Sequence, residues 1–273
     1  MKTRSPLIWF GGKSKVANEI INRMPDHKVY VEPFGGAAHV IAQKPEAKTD
    51  VYNDIDGDLV NFLLVARADT EKFIVAAESL PYSRQLYERW KREGLEGLND
   101  FDRAIRFFYL NRSGISGGNN PDKARTGWRH STTASQNPAK GYSNACQLIK
   151  MFSKRIQNVM IEHDDFKKII EKYDSPDTLF YIDPPYIGRE KYYAGGFTDQ
   201  DHRELAFLLN RIQGKAIVSY YYEPILDELY SSWRQETYVT TKQVVNGTSC
   251  KAEELLLMNF DLQPSLFDWE GQQ

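Results

Sequence analysis

Cysteine is almost absent from this 273-residue chain: Cys146 and Cys250 stand far apart and no Cys-x-x-Cys occurs. That spacing argues against a disulfide framework and a structural zinc site, and a reducing interior is expected. Histidine is nearly as sparse, and His27, His39, His130, His163 and His202 have no ligand spacing, so no metal is expected. No run of about 18 apolar residues occurs that could span a bilayer. The opening "MKTRSPLIWFGGK" has too short an apolar run for a signal peptide, so a cytoplasmic protein without membrane partners is expected. Net charge is only −2, too little to mark a general polyanion binder.

What is present is enough for a core: 41% of residues are hydrophobic and 26% charged, which fits one large domain or a domain with an insertion. The near-neutral charge is also unevenly spread. Between Arg103 and Arg155 ten lysines and arginines face a single acid, Asp122. Positive charge gathered into one segment of a neutral chain points to a polyanionic partner.

Four short β-branched or aromatic runs, "KVYVEPF", "TDVYNDI", "TLFYIDPPY" and "KAIVSYYY", read as buried parallel strands, and "EELLLMNF" as one more. Helical patterns alternate with them at Val16 to Met24, Asp58 to Ala66 and "DQDHRELAFLLNRI". The expected architecture is α/β with a mostly parallel sheet. The alternation breaks in the middle, where amphipathic "FDRAIRFFYL" and "SNACQLIKMFSKRI" flank a long polar, glycine-rich segment. Residues 67–160 are therefore read as an inserted module, residues 1–66 and 161–273 as the two parts of the α/β domain, and "PSLFDWEGQQ" as a loose tail.

Three motifs carry chemistry. In "YVEPFGGAAHV" a strand ends in an acid and a turn of small residues, which allows close backbone approach to a ligand but is not the Gly-x-Gly-x-x-Gly fingerprint. In "VYNDIDGDL" Asp54 ends the next strand, where it can hold ribose hydroxyls or cap a helix. In "TLFYIDPPYIG" a buried strand delivers Asp183 and two prolines to the binding edge of the sheet. Prolines stiffen the backbone and donate no hydrogen bond, so the Pro184 carbonyl stands as an acceptor beside the Asp183 carboxylate. Two neighbouring acceptors suit an exocyclic amino group, and Tyr186 offers a face on which a base can stack.

With these residues the chain resembles the Dam-type (D12 class) DNA adenine-N6 methyltransferases, over nearly its whole length. "PLIWFGGKSK", "VEPFGGAAHV", "NDIDGDL", "FFYLNRSGISGG", "YIDPPY", "FTDQDHREL" and "GTSCKAEELLLMNF" follow the family's order. The resemblance implies a Rossmann-like methyltransferase sheet that binds S-adenosylmethionine and releases S-adenosylhomocysteine, with the insertion as a mainly helical target-recognition module. Trp9, Gly12 and Lys13 would line the methionine end of the donor, and Glu32, Phe34 and Gly35 would border it. Asp54 would hold the ribose. Asp165 and Phe166 would meet the donor's adenine, with Asp164 as the alternative acid and a helix N-cap as the other reading of Asp165. Asp183 would border both donor and target, and with Pro184 and Tyr186 would hold the flipped adenine.

The partner implied is double-stranded DNA, with nucleoid association following from it. A restriction enzyme acting on the same site is the further partner of such enzymes in restriction-modification. Arg112, Ser113, Arg125, Trp128 and Arg129 are the DNA-contact candidates, Trp128 being either a base-stacking residue or a packed loop aromatic. "NNPDKARTGWRHSTTASQNPAK" does not reproduce the hairpin of GATC-specific members, so a GATC target is not expected. Cytosine N4 is the competing target, less favoured because related cytosine motifs usually begin with Ser. A DNA-binding regulator on a retired methyltransferase scaffold is the competing class.

Overall fold

The structure is a computed structural model that describes residues 3–9, 11–115, 127–132, 136–190, 195–243 and 249–262. Seven strands form one sheet: β1 (Val29–Glu32), β2 (Thr49–Asn53), β3 (Val159–Glu162), β4 (Thr178–Ile182), β5 (Lys215–Tyr220), β6 (Arg234–Gln243) and β7 (Ser249–Met258). Their spatial order is β3-β2-β1-β4-β5-β7-β6. The first five are parallel, and β7 runs antiparallel to both β5 and β6.

The central strands are buried on both faces, which is why they read as unbroken apolar runs. Alternate residues divide between two cores. Tyr30, Tyr52, Leu179, Tyr181 and Ile217 point to one face, and Val31, Val51, Phe180, Ile182 and Val218 to the other. Register pairs Val31 with Val51 on one side and with Phe180 on the other.

The first face is covered by α1 (Ala17–Ile21), α2 (His39–Gln43), α3 (Gly57–Ala68), α4 (Thr70–Ser79), α6 (Asp100–Ser113) and α7 (Pro138–Arg155), with α5 (Arg84–Arg92) outside them. The second carries α8 (Phe166–Tyr173), α9 (Asp199–Leu209) and α10 (Ile225–Leu229). Local chemistry sets the helix starts. Asp56, Ser83, Asn99, Asn137 and Asp165 each accept a backbone N–H in the first turn of the following helix, and Thr198 forms a capping box with Asp201.

Helices α4 to α7 lie in chain order between β2 and β3. Their aromatic centre, with Phe62 of α3 stacked 5.8 Å from Phe108 of α6, is continuous with the core on the first face. The sheet exceeds the expected strands by two. β3 is an edge strand with Met160 about half exposed and an apolar run of only three residues, Val159 to Ile161, and β6 is a largely polar edge strand paired to β7, so neither has the longer apolar run that marked the central strands. Position 160, the expected end of the insertion, falls inside β3. The "PSLFDWEGQQ" tail lies outside the described residues. No helix among the described residues is long and apolar enough to cross a membrane.

Candidate active site

Connections leave β1 toward β2 and β4 toward β5 in opposite directions across the sheet, which opens a crevice beyond the carboxyl ends of β1 and β4. The turn after β1 is held by its neighbour. Gly35 N–H donates to the Asn53 carbonyl at 2.8 Å, Gly36 N–H to Asp54 Oδ2 at 2.8 Å, and the Tyr52 hydroxyl to the Gly36 carbonyl at 2.6 Å. A Cβ on Gly35 would lie 2.1 Å from the Tyr52 ring, and Gly36 has φ +48°, so both positions require glycine. Asn53, fully buried, donates to the carbonyls of Pro33 and Asp164 and accepts from Asp164 N–H, tying together the ends of β1, β2 and β3.

The crevice encloses about 710 Å³, open to solvent. Trp9, Gly12, Lys13, Glu32, Phe34, Gly35, Asp54 and Asp183, all expected at a donor site, line it together. Asp165 and Phe166 are not in that lining. Asp165 caps α8 through Lys167 N–H at 2.9 Å, while the Phe166 ring lies 5.2 Å from Phe34 in a trio completed by Phe197. Asp164 accepts from Asp165 N–H and Lys168. Asp56, not Asp54, caps α3, which leaves the Asp54 carboxylate holding the turn and facing the crevice.

Lys13 is the hub of the catalytic side. Its Nζ donates to Asp183 Oδ1 at 2.8 Å and Oδ2 at 3.0 Å, to the Tyr186 hydroxyl at 2.7 Å and to the Gly11 carbonyl at 3.0 Å. The Lys13 side chain is 2% exposed and that of Asp183 21%, so the pair is screened from water on all but the crevice side. Tyr186 is buried, with the Tyr221 ring edge-on at 4.7 Å. Pro185, rather than Pro184, contributes to the crevice wall.

Burial governs the site's protonation. It raises the Asp183 carboxyl above the usual range, against the pull of Lys13, and raises Asp54 as well. Glu32 is pushed up to about 8 by burial although it accepts the Tyr30 hydroxyl, so it is mostly neutral at pH 7. Asp56 rises to about 7 through burial and the neighbouring Asp54. His39, in the crevice wall, is pushed down to about 4 by burial and Lys13, and its Nδ1 has no partner. Among the described residues there is no cluster of three or more His, Cys, Asp or Glu able to hold a metal ion. Asn53, His39 and Glu254 were not singled out from sequence. The one legible signal among them was Glu254, an acid at the head of the apolar "LLLM".

The DNA-contact candidates gather around the start and end of the 116–126 segment, which with Arg125 lies outside the described residues. Ser113 is fully buried. Arg112 donates to the Gly141 carbonyl, and burial lowers its affinity for a proton. Arg129 donates to the carbonyls of Gly114 and Ile115, closing the bridge between Gly114 and Trp128. Trp128 packs against Tyr82 and His130 and carries the Arg84 guanidinium 4.8 Å over its ring. Part of the basic segment is engaged by the protein itself: Arg103 pairs with Asp58, Lys150 with Glu71 at the surface and Arg155 with buried Asp50, while Arg106 closes on carbonyls at the end of α5.

A mostly parallel seven-stranded sheet with its crevice at the switch point, walled by a glycine turn and a strand-end acid, defines a Rossmann-like methyltransferase. Residues 9–246 match the family described as D12 class N6 adenine-specific DNA methyltransferase, and the chain belongs to that family. It is similar to the retron Ec67 DNA adenine methylase of Escherichia coli, with 27% identity over 93% of this chain and 90% of that protein. It is also similar to the DNA adenine methylases of Escherichia coli K12 (24% identity, 94% of this chain and 95% of that protein) and Haemophilus influenzae (26%, 80% and 78%).

Proposed function

We propose that this methyltransferase transfers a methyl group from S-adenosylmethionine to the N6 amino group of an adenine turned out of double-stranded DNA. The observation that carries the reading is that Asp183, at the carboxyl end of β4, presents a partly exposed carboxylate in the wall of the crevice that the glycine turn and Asp54 also line. The donor's fit rests on the lining: a turn that only glycine can form, a strand-end acid beside it, an aromatic wall from Phe34 and an unpartnered His39 Nδ1. When bound, S-adenosylmethionine supplies an electrophilic methyl on a sulfonium.

The chain's own residues do the rest. Trp9 and Gly12 line the crevice with Lys13, which sits beside Asp183, and Glu32, Phe34 and Gly35 line it from the end of β1. Asp54 accepts ribose hydroxyls with the lone pairs its backbone partners leave free. Phe166, packed behind Phe34, and Asp165 stand just outside the lining at the adenine end. Adenine N6 is a weak nucleophile because its lone pair is delocalised into the ring. Hydrogen bonds from N6–H to Asp183 and to the Pro184 carbonyl favour a geometry in which the lone pair faces the methyl, and transfer then depends on positioning and electrostatics. A carboxyl whose proton affinity is raised by burial is the better acceptor. Extrusion of the base costs on the order of a few kcal/mol, and Tyr186, buried behind Asp183, holds the pocket through its hydroxyl on Lys13.

Residues 67–160 act as the target-recognition module in this proposal. Arg112, Ser113, Arg125, Trp128 and Arg129 shape and present its DNA-contacting edge. Pairing with a restriction enzyme has no supporting observation and is not proposed.

The test is mass spectrometry of nucleosides from unmethylated duplex DNA incubated with deuteromethyl-labelled S-adenosylmethionine. Labelled N6-methyladenine is expected. Labelled N4-methylcytosine, or no transfer to any DNA tried, would overturn the reading.

A further inference from the structure

Lys13 carries one positive charge and faces two carboxylates. Its Nζ contacts both oxygens of Asp183 and lies 3.7 Å from Oε2 of Glu254, whose side chain is 5% exposed. Glu254 comes from β7, far in sequence from both the Asp183 motif and the glycine turn. It is held in place by the Tyr221 hydroxyl at 3.2 Å on Oε1 and the Tyr238 hydroxyl on Oε2. The proposed transfer needs an Asp183 oxygen to accept from the target amino group, yet Lys13 donates to both. Moving a buried ammonium off Asp183 with no second anion to receive it would leave it unpaired, at a cost of several kcal/mol.

We propose that Glu254 is a positioning residue that takes over Lys13 when the target amino group engages Asp183. This rests on the function proposed above. Charge-assisted N–O contacts form near about 2.8 Å, so a shift of roughly 1 Å completes the exchange. The Tyr186 hydroxyl and Gly11 carbonyl already hold the ammonium, so its other partners need not change.

A second consequence follows from charge. The groups facing Asp183 are Lys13, Glu254 and the phenols of Tyr181, Tyr186, Tyr220, Tyr221 and Tyr238, all raised above the ordinary tyrosine range by burial and therefore neutral. Beside burial, the Glu254 charge raises the Asp183 carboxyl, against Lys13, which lowers it.

The test compares wild type, Glu254→Gln and Glu254→Asp. Single-turnover transfer at saturating donor, donor affinity, and the pH at which the rate falls on the acid side are measured for each. For Glu254→Gln the expected result is a loss of about tenfold or more in single-turnover rate with donor affinity nearly unchanged. Its acid limb should move to lower pH, because loss of the Glu254 charge lowers the Asp183 carboxyl. Glu254→Asp keeps the charge but shortens the reach, so its rate should fall while its acid limb stays near wild type. A purely structural Glu254 would lower thermal stability and donor affinity together without moving the acid limb, and that result overturns the inference, as does an unaltered rate in Glu254→Gln. Should Glu254→Gln not bind donor, Glu254→Asp decides: a reduced rate with an unmoved limb supports the inference, and a wild-type rate overturns it. Failure of the wild-type protein to methylate DNA adenine would instead remove the functional reading, and the inference with it.

Discussion

Asp54 at the end of β2 accepts the backbone N–H of Gly36 at 2.8 Å, so the acid of one strand fixes the glycine turn that follows its neighbour β1. Its other oxygen accepts Asp56 N–H at 2.9 Å. The same carboxylate therefore shapes the crevice and, in the proposed function, holds the donor's ribose. Hydrogen bonds to charged groups contribute roughly 1.5–3 kcal/mol, so Asp54→Ala should weaken donor affinity by about 10- to 100-fold. Asp54→Asn, which keeps one acceptor, should lose less. Titration calorimetry with S-adenosylmethionine measures both, and equal affinity in Asp54→Ala and wild type would refute the assignment.

Gly35 gives a prediction about packing. An added Cβ would meet the Tyr52 ring at 2.1 Å, and the ring is itself buried and tethered to the Gly36 carbonyl. Overpacking of this kind costs about 1–3 kcal/mol. Gly35→Ala should therefore lower the melting temperature and donor affinity together. Gly141, which has open space around it, should tolerate Ala without loss of either.

Stability should depend on pH through Glu32. Its carboxyl is raised to about 8 in the folded protein from 4.5, so the folded state holds a proton that the unfolded state has released. The contribution is fully present below about pH 4.5 and is lost as pH rises through about 8. Asp56, raised to about 7, acts in the same direction. Urea unfolding at several pH values should show that Glu32→Gln flattens the decline of stability toward pH 8 and leaves the part due to Asp56. An unchanged slope would contradict the burial of an ionisable Glu32.

Arg112, in the proposed recognition module, should behave differently from a simple phosphate contact. Arg112 spends a donor on the Gly141 carbonyl in a desolvated setting. Arg112→Ala should cost about 1–3 kcal/mol of stability and leave the salt dependence of DNA binding unchanged. A phosphate contact would reduce that salt slope by about one. Fluorescence anisotropy at several salt concentrations separates the two.

The central strands were legible because burial on both faces writes itself as short, unbroken apolar runs, and Asp54 and Asp183 were legible because they end those runs. β3 and β6 were not: β3 offers only the three apolar residues Val159, Met160 and Ile161, and β6, at the edge beside β7, is largely polar. The site's connections are a matter of sheet order rather than of sequence spacing. Lys13 meets Asp183 across 170 positions, and Glu254 joins them only because β7 inserts beside β5. The positive charge between Arg103 and Arg155 read as a surface for a polyanion, but Arg103, Arg106 and Arg155 are bound into the fold. Composition records charge and not its partner.

The central claim is that Asp183 performs the transfer on a donor held by other residues. It is tested most directly by single-turnover methylation of duplex DNA with wild type and Asp183→Ala, each at saturating S-adenosylmethionine, with donor affinity measured in parallel. Loss of a positioned electrostatic group of this kind costs on the order of a hundredfold to a thousandfold in rate, and that loss with donor binding retained is the expected result. An Asp183→Ala protein that methylates adenine at a rate near wild type would contradict it.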